Sequence, residues 1–502
     1  MKKILLSVVW LASIMLVACV KTPEKKAIQT RVEGIKKEAL IAPLPEEKKI
    51  VLQKDEKWED SYEVMDGKVN INVAINVNEI SIGNLPVIEV EQTALSEERL
   101  KSLVNYFSKE RDVYKIPKLT VEELTSWREK ILGNQGLYGN PLYDESRKQV
   151  QIQKIEQLLS SAVENPIYEK KEVRYGTYYE DDYSFITKRE GTENKNQTEE
   201  CFFLAEVNNN GSRGQIYATN LSEKAAEVGT FSYTEGVYFS ESDLLLRKWY
   251  IQSSLSEFAE NTWLLEDGNL MEKMETKMQQ VEIGKEEVKE RTRKILEDLE
   301  ITGMAVSDIE ATVFYPVLNG DRYVEDLENA EIGYLVSCYK DIQGISAVNI
   351  RGEQTSTPEE NYKPPFEQEM ISMVITPKGL RTFKWSNIIK ESKTVSENTK
   401  AMTLGEMKDG IIKHLSYSAA SSMSNVPDQR IKYEIDKIQF RYGYTSAYNE
   451  PKKAWLVPVW VISCRESYWK GEEKILEYPN VNIMFSALDG GFIVPVNYMS
   501  IQ

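Results

Sequence analysis

Histidine is almost absent from this sequence of 502 residues, since His414 is the only one. An HExxH zinc site, a facial triad with two histidines and a Cys₂His₂ site are therefore all excluded. A Ser-His-Asp site would have to use His414, and no G-x-S-x-G motif accompanies it. His414 adjoins Leu415 on the apolar stripe of its predicted helix, which favours a structural histidine without a catalytic role.

Phosphate-binding glycine loops are also lacking. No GxxxxGK[ST] motif occurs, and GSRG (211–214) fits a hairpin turn better than a phosphate cradle. We therefore predict no cofactor and no metal site, and a protein that is not an enzyme. The 79 acidic residues still offer many carboxylate pairs, so a carboxylate-based hydrolase stays open as an alternative.

Cysteine is scarce, with four residues in the chain. Apart from Cys19, the sequence contains Cys201, Cys338 and Cys464, which allow at most one disulfide and exclude a disulfide scaffold. Cys338 and Cys464 lie inside apolar strands without CxxC spacing, whereas a reactive thiolate needs an electropositive, partly exposed setting. We favour two buried reduced thiols, and a disulfide between these two strands is the alternative.

A long hydrophobic run occurs only at the start of the chain. Residues 4–17 are apolar and follow two lysines, which is too short for a bilayer span of about 20 residues but typical of a secretory signal. The sequence LVAC (16–19) resembles a bacterial lipobox. This resemblance implies cleavage between Ala18 and Cys19, a diacylglycerol on Cys19, and attachment to the extracytoplasmic face of the cell membrane. An ordinary signal peptide with a chance cysteine is the alternative.

The charge and composition of the rest indicate an extracytoplasmic body on a stalk. After a signal peptide at 1–18, residues 19–57 are rich in Lys, Glu and Pro and predict a flexible charged stalk, with a short helix near 31–40. The formal net charge of −17 argues against nucleic acid as a partner, because phosphate binding needs clustered Lys and Arg.

Hydrophobic periodicity predicts a multidomain α+β fold, with antiparallel sheets and packed helices. Residues 58–281 form the predicted N-terminal α+β region, helical over 95–165 and β-rich over 199–236. Its predicted elements are strands at 68–77 and 86–92, helices capped by Ser96 and Thr120, a helix at 144–163, a hairpin of 201–208 and 215–221, a strand at 229–236, and helical sequence over 242–281.

Two stretches of this region could bind a ligand. YGTYYEDDYSF (175–185) packs five aromatic residues around three acidic ones and could hold a cation or a sugar, although an exposed acidic loop is favoured. Leu270, Met271, Met274 and Met278 lie on one helical face. A methionine stripe can form an adaptable groove, but at this spacing core packing is favoured.

The C-terminal part contains two stretches with the same element order, at 282–400 and 401–502. YLVSC (334–338) aligns with WVISC (460–464), so we predict a tandem duplication. The first stretch has a helix at 284–299, strands at 311–317 and 332–341, and a hairpin at 370–385; the second has a helix with a Thr403–Glu406 capping box, strands at 437–444 and 454–464, and a hairpin at 480–496.

The strand AWLVPVWVISC (454–464) is apolar almost throughout. It contains Pro458, which predicts an unpaired or bulged position because proline cannot donate to a hydrogen-bond ladder.

These repeats resemble PepSY-type modules of cell-envelope proteins from Gram-positive bacteria. The matching pieces are LVPVW (456–460), SALDGG (486–491), and TPKG followed by FKW (376–385). With the lipobox and the strand–helix N-terminal region, the chain resembles a family of uncharacterised Gram-positive lipoproteins. The resemblance implies PepSY-like modules at 282–400 and 401–502. It implies inhibitory, regulatory or scaffolding roles outside the membrane and supplies no catalytic residues.

We therefore expect a lipid-anchored extracytoplasmic protein with a non-enzymatic binding, regulatory or scaffolding role at the cell envelope. Its expected partners are membrane lipid, through acylated Cys19, and an envelope protein or peptide. A solute- or glycan-binding lipoprotein is the alternative, and a hydrolase is another. An exposed apolar patch would favour protein binding, and an aromatic-lined cleft would favour solute capture. Two nearby carboxylates, one with a raised pKa, would favour a hydrolase.

Overall fold

The fold is mixed α+β with mostly antiparallel sheets, and it divides into two compact units. The first unit comprises Met1–Glu91, Asp341–Glu367 and Glu391–Gln502, and the second comprises Gln92–Lys340 and Gln368–Lys390. A computed structural model describes residues 34, 35, 37, 40, 50–82, 84–133, 145–177, 201–209, 212–223, 226–243, 268–316, 330–348, 364–423 and 428–493.

Three helices begin at the caps that the sequence predicts. The Ser96 hydroxyl accepts from the Arg99 amide, and Thr120 exchanges side-chain and backbone bonds with Glu123. Thr403 and Glu406 form the same reciprocal pair, so these orphan amides are satisfied. The helices are α1 (Glu97–Ser108), α2 (Val121–Leu132), α3 (Glu145–Leu159), α4 (Gly268–Met278), α5 (Lys285–Asp298) and α6 (Leu404–Met423).

The strands are more extensive than the periodicity predicts, because several continue into polar sequence. They are β1 (Ile50–Gln53), β2 (Glu56–Val64), β3 (Val69–Val77), β4 (Ile80–Ile82), β5 (Val87–Gln92), β6 (Gly176–Thr177), β7 (Cys201–Asn209), β8 (Ser212–Glu223), β9 (Ala226–Thr234), β10 (Gly236–Ser240), β11 (Met304–Pro316), β12 (Glu331–Ile342), β13 (Ile345–Ser346), β14 (Met370–Thr376), β15 (Gly379–Ser386), β16 (Ile389–Ser396), β17 (Gln429–Ala447), β18 (Glu450–Lys470), β19 (Glu473–Ser486) and β20 (Phe492–Ile493).

The second unit is built on one long antiparallel sheet with the strand order β10-β11-β12-β14-β15-β9-β8-β7-β6. One face of this sheet packs against α1, α4 and α5 around a continuous apolar core. Phe107 of α1 stacks on Tyr233 at 4.9 Å between ring centroids and lies 5.0 Å from Phe383. Met274 and Met278 are buried in the same core, as the core-packing interpretation predicts.

The first unit is built on the sheet β16-β5-β18-β17-β3-β2, with β19 and β20 beyond β18. The pairing of β3 with β17 is parallel, whereas the other pairings of this sheet that have a described register are antiparallel. Strand β3 alternates between buried Val and Ile and more exposed Asn, as its sequence predicts. Helix α6 buries an apolar stripe, which consists of Leu404, Met407, Ile411 and Leu415.

The apolar segment 454–464 is the middle of β18, and nearly all of it is buried. Strand β5 pairs with β18 as far as Leu456, and β19 begins its pairing at Val459. Pro458 falls in the gap between them, where its carbonyl accepts from the Ala487 amide at 2.9 Å. In a strand, N and C=O of one residue face the same side, so the missing N–H faces this gap. On its other side, Pro458 is paired with Tyr442 of β17 without a bulge, so the predicted unpaired position is found only on the side that faces β5 and β19.

The helix and the four main strands of the first predicted repeat lie in the second unit, apart from the end of β12, and those of the second repeat lie in the first unit. In the second unit α5 is followed by the meander β11-β12-β14-β15, and in the first unit α6 is followed by the meander β17-β18-β19-β20. The predicted order of a helix and then four antiparallel strands is confirmed in both. Residues 341–348, 364–367 and 391–400 of the first predicted module, which include β13 and most of β16, belong to the first unit.

Part of the predicted stalk is ordered. Ile35 is fully buried, and β1 and the start of β2 lie before residue 58. The short helix predicted near 31–40 lies mostly outside the described residues. The sequence predicts helix over 242–281. Beyond residue 243, the structure describes residues 268–281 of this stretch, and most of them form α4. In the described part of the chain, no helix is both long and apolar enough to cross a membrane.

Candidate functional site

The two strand cysteines are buried free thiols. Cys338 in β12 and Cys464 in β18 are 0% and 1% exposed, and neither is in a disulfide. Burial raises the pKa of the Cys338 thiol to about 12. Burial also raises the pKa of Cys464, with a smaller contribution from the charge of Glu466. Neither thiol is ionised near neutral pH, so the favoured prediction is confirmed and the disulfide alternative is wrong.

His414 lies on α6 and is enclosed by aromatic rings. Its imidazole stacks on Phe492 at 4.1 Å between centroids and meets Phe485 edge-on at 5.2 Å. Burial lowers the pKa of His414 to about 4, because the imidazolium would lose its hydration. The ring is therefore neutral near pH 7 and acts as a packing group, which agrees with the structural interpretation.

In the first unit, a buried carboxylate joins three strands. Glu89 of β5 lies 3.0 Å from Lys453 Nζ of β18 and accepts from the indole of Trp455 at 3.3 Å. From β16, the hydroxyl of Ser392 donates at 3.0 Å, and Lys393 Nζ lies 3.2 Å away. Burial alone would raise the pKa of Glu89, but these donors lower it to about 2. The carboxylate is held ionised and fully hydrogen-bonded.

In the second unit, Arg381 of β15 is held between two buried carboxylates. Its guanidinium donates to both oxygens of Glu331, at 2.8 and 2.9 Å, and to Glu235 at 2.6 Å. The Thr376 hydroxyl and the largely exposed Lys378 also donate to Glu331. Burial would raise the pKa of Glu331, but the hydrogen bonds from Arg381 and Lys378 lower it.

A third buried carboxylate, Glu466 of β18, accepts from two phenols. The hydroxyls of Tyr433 and Tyr468 donate to its Oε1 at 2.9 and 2.8 Å. Burial, reinforced by the negative charge of Glu466, raises the pKa of both phenols. These hydroxyls remain protonated, and their hydrogen bonds hold the buried carboxylate in place.

Glu89 and Glu331 stabilise the sheets and do not provide a general acid. A carboxylate hydrolase needs one carboxyl whose pKa is raised so that it carries a proton at neutral pH. Glu89 and Glu331 show the opposite shift, because cations and hydroxyls donate to them. Among the described residues, no group of three or more His, Cys, Asp and Glu side chains could hold a metal ion.

An exposed segment of the second unit, residues 163–171, lies along the chain at 113–121. The Glu169 carbonyl accepts from the Lys115 amide at 2.8 Å, and the Lys171 amide donates to the Val113 carbonyl at 2.8 Å. On its other side, Tyr114 exchanges two backbone bonds with Glu206 of β7. Residues 169–171 therefore lie beyond β7, paired through residues 113–115, and we call the exposed segment that contains them the 163–171 edge.

The 163–171 edge presents apolar side chains and backbone groups to solvent. Ile167 is 62% exposed and Tyr168 is 39% exposed. Because the Glu169 carbonyl and the Lys171 amide bond inwards and alternate residues of an extended chain point to opposite sides, the N–H and C=O of Lys170 face outwards. Among the described residues, these outward groups have no backbone partner. An extended chain could add here by main-chain hydrogen bonds.

The other predicted site residues lie wholly or partly outside the described residues. Ala18 and Cys19, the predicted cleavage and lipid-attachment residues, lie outside the described residues. Of the aromatic and acidic stretch 175–185, the structure describes 175–177. The buried networks and the 163–171 edge were not predicted, because their partners lie far apart in the sequence. Ile167 and Tyr168, an apolar pair flanked by polar residues, were the available signal for the edge.

Comparisons with known proteins give no family. No family model matches the sequence, and a search of the curated proteins found no match. Among solved structures, the chain is similar to an uncharacterised protein from Eubacterium rectale at 13% identity and a TM-score of 0.38. This similarity covers 86% of this chain and 91% of that chain. It is too low to carry an argument about function.

Proposed function

We propose that this chain is a lipid-anchored extracytoplasmic protein with a non-enzymatic binding, regulatory or scaffolding role at the cell envelope. It is attached to the outer face of the cell membrane through acylated Cys19, and it binds an envelope protein or peptide. We place it with the uncharacterised Gram-positive lipoproteins that it resembles, with PepSY-like modules at 282–400 and 401–502.

The observation that carries the binding role is the 163–171 edge. Two adjacent apolar side chains, Ile167 and Tyr168, are exposed close to the outward-facing backbone groups of Lys170. Main-chain bonds to such an edge provide affinity, and alternate side chains provide selectivity. An extended segment of a protein partner satisfies both features, whereas a small solute would leave the backbone groups unpaired.

The duplication is supported by a shared irregularity in the two meanders. In β11 the register shifts between Val306 and Asp308, opposite Cys338 and Ser337. In β17 it shifts between Ile435 and Lys437, opposite Cys464 and Ser463. The extra residue therefore lies opposite the aligned Ser-Cys pair in both. Bulges are specific features of strand pairing, so a match in both position and sequence favours a common origin.

The non-enzymatic role is supported by the state of the groups that usually perform chemistry. Cys338 and Cys464 are buried thiols with raised pKa values, and His414 is a neutral ring between two phenylalanines. A nucleophile or a general base needs access to substrate and a pKa near the working pH. These side chains have neither property.

The binding role is tested by crosslinking in intact cells, followed by affinity capture of the full-length protein. Ile167→Asp combined with Tyr168→Asp should reduce the crosslinked partner at least fivefold. Val237→Asp is the matched control, since Val237 is 43% exposed on the same unit. Equal capture by the edge variant and by the control would reject the 163–171 edge as the binding surface.

The anchor is tested separately by fractionation. Cys19→Ala should move the protein from the membrane fraction to the soluble fraction, because one acyl-bearing thiol supplies the attachment. Unchanged membrane association would contradict the lipid anchor.

A further inference from the structure

Ile35 docks into the first unit against β17 and β18, which lie far from it in the sequence. Its side chain is fully buried, and its amide donates to the Ser446 carbonyl at 3.2 Å. Residues Ile35 and Ala447 form a parallel bridge at the end of β17. A single residue of a charged, proline-containing segment is therefore fixed by both a backbone bond and an apolar contact.

The docking site is an apolar cluster on one face of β18. Ile35 packs there with Trp455 and Val457, and Leu40 lies against the same cluster, partly buried. Alternate residues of β18 supply this face. The cluster also contains Val87, Ala447, Val459, Val461, Met484 and Ile493. Full burial of an isoleucine side chain is worth about 1.5–3 kcal/mol, so the docked state is favoured locally.

Gly34 permits this close approach. Its φ of +89° lies in the left-handed region, and a Cβ there would lie 2.2 Å from the Ser446 carbonyl oxygen. Any side chain at this position would be strained and would also collide with backbone that cannot move aside cheaply. The sequence therefore places the one residue without a Cβ next to the apolar residue that docks.

We propose that Gly34 and Ile35 form a latch that shortens the tether between the membrane anchor and the folded body. The membrane consequence rests on the proposed acylation of Cys19, whereas the latch itself does not. Ile35 follows Cys19 by about 16 residues, so the latched body stands at most about 55 Å from the anchored residue. Without the latch, the first fixed strand is β1, about 31 residues from Cys19, and the reach rises to about 105 Å.

The latch allows two maximum distances between Cys19 and the folded body, one with Ile35 docked and one with Ile35 released. In the latched state the body is confined close to the headgroups and can bind only partners that lie near the membrane. Release of both Ile35 and Leu40 from the cluster roughly doubles the reach without unfolding either meander. The tether length is set by a local apolar contact, and a change in that contact changes which partners are accessible.

The latch is tested on the purified full chain by limited trypsin digestion. Cleavage after Lys37 requires the chain around Ile35 to leave its cluster, so it follows the population of the open state. Gly34→Ala and Ile35→Asp should each accelerate this cleavage at least tenfold, while cleavage after Lys25 and Lys26 stays unchanged. Equal rates after Lys37 in the wild type and in both variants would overturn the latch.

Gly67→Ala is the matched control. Gly67 has a similar φ of +79° in the same unit, but a Cβ there meets nothing within 4 Å. It therefore imposes the same kind of backbone strain without displacing Ile35. This control should leave the cleavage after Lys37 at the wild-type rate. An equal acceleration in Gly67→Ala would show general destabilisation and would also overturn the latch.

The tether length is tested with the acylated protein on lipid vesicles. A donor dye is placed at position 448 and an acceptor on the lipid headgroups. Gly34→Ala should lower the energy transfer, because the body can move further from the surface, and Gly67→Ala should not. Unchanged transfer in a variant with accelerated cleavage would reject the membrane consequence. Failure of the wild type to bind vesicles would reject the lipid anchor instead, while the digestion result would stand.

Discussion

Arg381 and Glu331 form a two-point hydrogen bond in the second unit. The Nε and Nη2 atoms of Arg381 lie 2.9 and 2.8 Å from the two oxygens of Glu331. The residues belong to β15 and β12, which are separated in the sheet by β14. The planar guanidinium matches the carboxylate geometry, so the pair fixes how these strands are aligned.

Replacement of this arginine should be costly. Arg381→Met leaves Glu331 and Glu235 buried without their shared cation, and we expect a loss of about 3–5 kcal/mol in the free energy of unfolding. Lys378→Met is the control, because Lys378 binds the same carboxylate from a side chain that is 70% exposed. Its cost should be at most about 1 kcal/mol. Urea unfolding measures both, and equal costs would contradict the structural role of Arg381.

Acid should weaken the first unit through Glu89. Its pKa of about 2 lies below the value of about 4.3 in an unfolded chain, so its stabilisation is complete above pH 4.3. The stabilisation falls as the pH drops from about 4.3 towards 2, by on the order of 3 kcal/mol. Glu89→Gln should remove this part of the pH dependence, whereas the exposed Glu63→Gln should keep it. Unfolding curves at pH 7, 4 and 2.5 make the comparison.

Protonation of His414 should make the free energy of unfolding depend on pH in a second range, which lies above the range of Glu89. Its pKa of about 4 lies below the unfolded value of about 6.5, so between these values the unfolded chain binds the proton more readily. Stability is then complete above pH 6.5 and decreases towards pH 4, by on the order of 3 kcal/mol. His414→Leu should remove this slope. Because the chain has one histidine, histidine-labelled NMR reports the pKa directly, and a value near 6.5 would contradict the buried position.

Substitution by alanine at two glycines should change the stability of the protein in opposite directions. A Cβ on Gly333 of β12 would lie 2.2 Å from the Ile375 carbonyl oxygen of the neighbouring strand, so Gly333→Ala should destabilise by about 2 kcal/mol or more. Gly410 lies inside α6 with nothing within 4 Å of an added Cβ. Gly410→Ala should stabilise by about 0.5–1 kcal/mol, because alanine loses less backbone entropy in a helix. Thermal unfolding measures the change in stability of each variant. A change in the same direction for both variants would be inconsistent with this packing.

The two strand thiols should resist alkylation in the native state. Cys338 and Cys464 are both buried free thiols, so iodoacetamide should label them at least a hundredfold more slowly in buffer than in denaturant. Peptide mass spectrometry measures each site separately. Rapid native labelling of either residue would show that its strand opens, and an internal disulfide would appear as labelling only after reduction.

Local signals in the sequence predicted much of the secondary structure. Ser96, Thr120 and Thr403 mark helix starts because a side chain near in sequence satisfies the orphan amides. The alternation of Val and Ile with Asn predicted β3, because one face of that strand is buried and the other is not. These features depend on neighbours within a few residues, so a single sequence is enough to reveal them.

Longer-range features required the fold. Strand β17 extends over Gln429–Ala447, beyond the predicted 437–444, because β3 and β18 supply partners for its polar beginning. The parallel pairing of β3 with β17 joins residues more than 350 positions apart, and nothing in either strand specifies the other. The 163–171 edge is also a tertiary feature, since exposure is decided by which strands remain unpaired.

By itself, the sequence determined the helix caps, the alternation of the exposed strands, the absence of multi-histidine sites and the recurrence of a helix with four strands. The tertiary structure alone decided that Glu89, Arg381 and Glu466 are buried with partners from other strands, and that Ile35 is docked. The physical reason is distance along the chain. Caps and periodicity act within one or two turns of the backbone, whereas burial and charge pairing depend on segments that only the folded sheets bring into contact.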